Sequence, residues 1–200
     1  MKIISNLIIS FLAIFSTISC TESDSNSEKL FDDNFAVKKI SNLDVLNKIS
    51  NSFNLKNGTR SNDFDFDEIT EIYNHETNYT SFMIESNNNL NTKLGAYPTV
   101  EGNFNFLVIE NIFTNDYKKV LYSDLDNNLL SEVTFDLINK TVEVVNHSDS
   151  TRGCGQATAN CISTEYTQRG WWSVAGWVIT LFQPWFGVVV AGSCAAYNCL

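Results

Sequence analysis

Basic charge is scarce in this 200-residue chain: 13 Lys and Arg stand against 23 Asp and Glu, for a formal net charge of −10. That balance excludes a nucleic-acid partner, because phosphate binding needs a Lys/Arg surface and no basic patch is present. It also gives anionic lipid no electrostatic hold. Histidine occurs only as His75 and His147, and no Cys-x2-Cys spacing exists, so a zinc site has no ligand constellation. Asp63, Asp65 and Asp67 are spaced like a calcium loop, but Glu68 stands where glycine is required and Asn74 falls at the twelfth place, which excludes an EF-hand. There is no Gly-rich phosphate loop and no Gly-x-Ser-x-Gly, and an oxidised Cys154 or Cys161 cannot serve His147 as a thiol nucleophile. No metal, no cofactor, no catalytic residue and no enzyme activity are therefore expected. Charge itself disappears at the C-terminus, where Gly170 to Leu200 carry none.

The chain opens with one lysine, an apolar run from Ile3 to about Ile18, and small residues before Cys20, the pattern of an export signal over residues 1–19. Thr17-Ile18-Ser19-Cys20 is similar to a lipoprotein signal end with Thr17 in place of the usual Leu, Val or Ile, making Cys20 the candidate lipidation site; plain secretion stays open. Residues 20–34 then read as a polar tether. The expected location is the cell envelope as an outer-surface lipoprotein, or the extracellular space after processing. Cys154, Cys161, Cys194 and Cys199 remain, an even number suited to disulfides in an oxidising compartment.

From Phe35 to Phe53, Val37, Ile40, Leu43, Val45, Leu46, Ile49 and Phe53 recur at three- and four-residue steps, which predicts an amphipathic helix stopped by Asn57-Gly58. Residues 54–78 read as loop, with a short helix around Glu68–Tyr73 as the alternative within it. Short β-rich runs follow at 79–85, 104–113, 118–124, 131–136 and 141–145, separated by Asn/Asp turns at 114–116, 126–128 and 139–140. Alternation in Val120/Tyr122, Val133/Phe135 and Val142/Val144 gives the sheet an apolar face, for which the 35–53 helix is the natural cover. The expected fold is α+β: residues 35–146 form an N-terminal helix packed on a small antiparallel β-meander. A linker at 147–153 joins them to a disulfide-stapled hydrophobic, helical hairpin at 154–200.

Within that tail, Trp171 to Gly192 is long enough to cross a hydrocarbon core of roughly 30 Å as one helix. Pro184 interrupts it, at about 3 kcal/mol if unrelieved, so two helical arms compete well with one span. Four cysteines allow three pairings; Cys154 with Cys199 and Cys161 with Cys194 is the one with nearly coincident midpoints, as a stapled hairpin requires. Each staple is worth about 2–4 kcal/mol. Trp171, Trp172, Trp177 and Trp185 are candidate membrane-contact residues, because indole prefers the bilayer interface. The competing expectation is that this segment packs on the apolar face of the meander and its tryptophans supply core. Arg152-Gly153 is the candidate cleavage site between carrier and tail.

The Cys-Gly-x5-Cys start at 154–161, the Gly/Ala/Val-rich body at 186–196 and the end Cys194-Ala-Ala-Tyr-Asn-Cys199 resemble exported bacteriocin or toxin precursors of the halocin-C8-like layout. The resemblance implies a membrane-active antimicrobial peptide at the C-terminus that acts on the bilayer or a membrane protein of a target cell. It also implies an immunity protein as partner, or a self-protecting role for residues 35–146, and it brings no catalytic residues. The alternative is a non-toxic surface lipoprotein whose C-terminal hairpin anchors it or binds an envelope partner.

Overall fold

Short β-branched and aromatic runs punctuated by Asn and Asp turns form an antiparallel sheet in which every neighbour in space is a neighbour in sequence. The computed structural model describes residues 35–57, 61–147, 154–167, 183 and 185–198, all within one compact unit, Asp33–Leu200. Strands β1 (Phe35–Ile40), β2 (Phe64–Asn74), β3 (Tyr79–Ser86), β4 (Thr92–Pro98), β5 (Phe104–Phe113), β6 (Tyr117–Ser123), β7 (Leu129–Asp136) and β8 (Thr141–Asn146) pair in the order 1 to 8. Helix α1 (Leu43–Asn57) and a short 3-10 turn (Ser61–Asp63) lie between β1 and β2; α2 (Cys154–Thr167) and α3 (Trp185–Asn198) follow β8.

The turns show why the strands stop where they do. Asn78 and Asn127 adopt left-handed backbone (φ 52° and 63°), which Asn tolerates because its short amide bonds locally. The Asp124 carboxylate accepts from the backbone N–H of Asp126 and Asn128, at 2.9 and 2.8 Å. Asp136 does the same for Ile138 and Asn139, and the Asn139 backbone and side-chain amides hold its carboxyl below the usual range.

The expected fold class is overturned: the chain is dominated by an eight-stranded sheet, and an N-terminal helix over 35–53 on a small meander is not its plan. Residues 35–40 are strand, and the helix is an insertion running from Leu43 to Asn57. Val37 and Ile40 mimic a helical step because β1 lies at the sheet edge, where only Phe35 is buried and no alternation is enforced. Part of the expected loop 54–78, the alternative short helix at Glu68–Tyr73 included, is β2, whose period-2 signal is broken by a register shift between Asp65 and Ile69. Strand β4, TKLGAYP, was hidden by Gly95 and Pro98, two residues that weaken a strand reading.

The cover of the apolar face also differs. Helix α1 is capped by Asn42, whose Oδ1 accepts from Asp44 N–H at 3.0 Å. Its last turn is tied down by Lys56, which donates to the Phe104 carbonyl at 2.8 Å. Leu46, Ile49 and Phe53 bury against one face, in a cluster with Ile69, Phe82, Ile84, Leu94, Phe104 and Phe106. Phe53 is fully buried and meets Phe64, Phe66 and Phe106 with ring centroids 5.8, 5.2 and 5.3 Å apart. The face carrying Val120, Tyr122, Val133 and Phe135 is the opposite one, and α2 and α3 cover it.

Because Phe53 has no exposed side, truncation to Ala opens a cavity that three neighbouring rings line. Phe53→Ala is expected to lower unfolding stability by about 3–5 kcal/mol in chemical denaturation.

Candidate functional site: a sequestered C-terminal helix pair

Helix α2 has a narrow apolar stripe. Thr158, Ala159, Ile162 and Tyr166 are buried at three- and four-residue steps, while Gln156, Asn160 and Thr164 face solvent. The stripe lies on β7 and β8, where Tyr166 meets Phe135 edge to face at 5.8 Å. Asn146 on β8 donates through Nδ2 to Asn160 Oδ1 at 3.2 Å. At the inner end, the Tyr166 and Tyr122 hydroxyls are 2.9 Å apart, a buried hydrogen bond that ties α2 to the sheet. Burial, and then the neighbouring Tyr166, push the Tyr122 hydroxyl well above its ordinary pKa.

Helix α3 is of another kind. Every residue from Phe186 to Gly192 is buried, Val188 and Ala191 completely, and no charged side chain occurs in it. A helix apolar all round is stable only inside a core or a membrane. It packs chiefly on β3, β4 and β5, and glycine allows the approach. A Cβ at Gly187 would lie 3.3 Å from the Tyr122 hydroxyl and 3.4 Å from Ile109 Cγ2. At Gly192 it would collide with Ser81 Oγ and come within 2.8 Å of the Tyr97 ring.

Cys161 of α2 and Cys194 of α3 form a disulfide with Cα atoms 5.4 Å apart, across 33 residues. This is the inner pair of the nested arrangement, and it fits an oxidising location such as the extracellular space. Cys154 begins α2. Trp185 is half-buried on Phe35 of β1, at 5.4 Å between ring centroids, and its indole N–H donates to Gln183 Oε1 at 3.0 Å. Cys20, Arg152, Gly153, Trp171, Trp172, Trp177 and Cys199 lie outside the described residues, as does the Cys154 side chain.

No protein-family model, curated protein or solved structure matches the chain. What the site can do rests on its own chemistry.

Among the described residues no helix is long and apolar enough to cross a membrane, and no three His, Cys, Asp or Glu side chains gather as a metal site. A cavity of about 40 Å³ beside α2 and α3, lined by Asn74, Thr77, Glu165, Tyr166, Val190 and Ser193, has room for a few water molecules. Small-molecule sites occupy about 300–1,000 Å³.

Two polar groups sit uneasily on this side of the sheet. The Tyr97 hydroxyl is buried and has no hydrogen-bond partner among the described residues, over Gly95, where no side chain fits beside it. Lys118, 1% exposed, holds its ammonium over the Phe113 ring at 4.7 Å, and among the described residues no carboxylate pairs with it. Burial lowers its pKa to about 8. The alternation had already placed Tyr122 on this face. Tyr97, Gly187 and Gly192 were missed, although two glycines five apart in a charge-free helix signal close backbone approach.

Gly192→Ala, at the tighter site, is expected to destabilise by about 1–3 kcal/mol and Gly187→Ala by less, while Tyr97→Phe, which removes an unpaired hydroxyl, is neutral or stabilising in denaturant titrations. Unfolded Lys118 keeps its proton to near pH 10.5, whereas the folded protein releases it near 8. The unfolded chain therefore binds more protons in that window and stability rises with pH. Above about pH 10 the buried tyrosines, with raised pKa, reverse the trend. Lys118→Met should flatten the rise between pH 8 and 9.5 and add about 1–3 kcal/mol at pH 7, read by denaturation at each pH.

Proposed function

We propose that this chain is an exported precursor that stores a membrane-active, bacteriocin-like peptide, residues 154–200, against its own sheet. The observation that carries the reading is α3, a charge-free helix whose residues from Phe186 to Gly192 are all buried between α2 and a sheet face to which its glycines fit. The N-terminal export pattern with lipidation at Cys20, the candidate cut at Arg152-Gly153 and the halocin-C8-like layout of the tail agree with it.

The stored state and the active state obey one rule. Each buried Val or Phe of α3 gains about 1.5–3 kcal/mol over exposure to water, so a cut in the linker alone does not release the helix. A bilayer offers an apolar environment comparable to the sheet, so transfer from one to the other forfeits little hydrophobic stabilisation. The Cys161–Cys194 bond keeps α2 and α3 together through that exchange. The target is then the bilayer or a membrane protein of a susceptible cell; an immunity protein is an implied partner, and no enzyme chemistry is assigned.

A second reading has its own support. The fit of Gly192 to Tyr97 and the Tyr122–Tyr166 bond suit a permanent core, as in a non-toxic surface lipoprotein whose tail closes its fold or meets an envelope partner. The two separate in one experiment on the oxidised full chain carrying a specific protease site at 152–153. The nicked protein should leak dye-loaded vesicles and inhibit related bacteria at micromolar concentration, and the intact protein should not. Silence from both would sink the precursor reading and leave the second.

A further inference from the structure

We infer that β8 of one copy of this chain pairs with β1 of a second copy, so that copies add head to tail into a continuous antiparallel sheet. The inference does not depend on the precursor reading.

Among the described residues the sheet has eight strands in sequential order, so β1 and β8 are its two edges and, the number being even, run antiparallel to each other. A second copy set beside the first in the same orientation thus continues the alternation. The edges match in length, six residues each, Phe35–Ile40 and Thr141–Asn146. They match in hydrogen-bond phase too. His147 N–H bonds to the Leu130 carbonyl, so Val142 and Val144 turn their backbone groups away from β7. From the Thr99 N–H bond to Asn103, the same alternation carried through β4, β3 and β2 turns those of Val37 and Lys39 away from β2.

Aligned end to end, Phe35 stands opposite Asn146 and Ile40 opposite Thr141. Val37 then meets Val144 as a hydrogen-bonded pair, the two helix-covered faces join, and Lys38 meets Glu143 across the strands. Val37 and Val145, 44% and 39% exposed, gain apolar neighbours. Lysines on an edge strand ordinarily guard it. Here Lys38 and Lys39 are already held by Glu71 at 2.9 Å and Glu68 at 2.5 Å, and β8 carries neither lysine nor proline. Six residue pairs bury less than the roughly 1,000 Å² of a stable interface, so the contact builds up with local concentration, as on a surface.

Cysteine cross-linking on the full chain tests it. Cα atoms of a hydrogen-bonded antiparallel pair lie about 5.5 Å apart, within disulfide reach. The double variant Val37→Cys/Val144→Cys should give a ladder of dimers, trimers and longer species on non-reducing gels after mild oxidation, and each single variant should give none. Lys38→Glu should lose the ladder, and adding Glu143→Lys should restore it, with circular dichroism checking that each variant is folded. Folded monomers only from the double variant, or dimers from a single variant that mark a two-fold contact closing on itself, would overturn the proposal.

Discussion

A helix with no charge and no polar face cannot be left against water, and the burial of α3 organises everything around it. The sheet must offer a face wide enough to hold it, and that face spans strands from β2 to β5, with β7 and β8 extending it under α2. The helix must come close enough for van der Waals contact, which Gly187 and Gly192 permit by removing the Cβ atoms that would meet Tyr122, Tyr97 and Ser81. Helix α2 then closes the remaining flank, and the Cys161–Cys194 bond makes the two helices one body.

The two sides of the sheet are built from different materials. Toward α1 the contact is aromatic and aliphatic, with Phe53 at the centre of a phenylalanine cluster. Toward α2 and α3 it includes three tyrosines and a buried lysine, and among the described residues one of those hydroxyls has no hydrogen-bond partner and the lysine no carboxylate. Buried polar groups of this kind subtract stability, by about 1–3 kcal/mol for each hydroxyl left unsatisfied.

Much of the strand content was legible because antiparallel strands with one covered face write their pattern as period-2 alternation. Tyr122, Val133 and Phe135 announced the inner face in this way, and the Asn/Asp residues at 126–128 and 139–140 announced the turns. What escaped had a physical reason in each case. The edge strand β1 buries almost nothing, so its residues need not alternate. The shift between Asp65 and Ile69 puts β2 out of phase with itself. In β4 the glycine that looks like a breaker is there because the Tyr97 ring occupies the space of its side chain. The site was half legible: the charge-free tail, the cysteine spacing and Tyr122 stood out, while Tyr97 and the two glycines that seat α3 did not.

The residues alone determined that the tail must be hidden from water and that disulfides suit its cysteines, since these follow from composition and spacing. Only the tertiary structure decided where the tail goes. Two apolar bodies competed to cover one sheet face, α1 and the C-terminal helices, and their hydrophobic patterns do not choose between them. The choice lies in shape: Gly187 and Gly192 let α3 approach the tyrosine-bearing face, while Phe53 fits among the rings of the other.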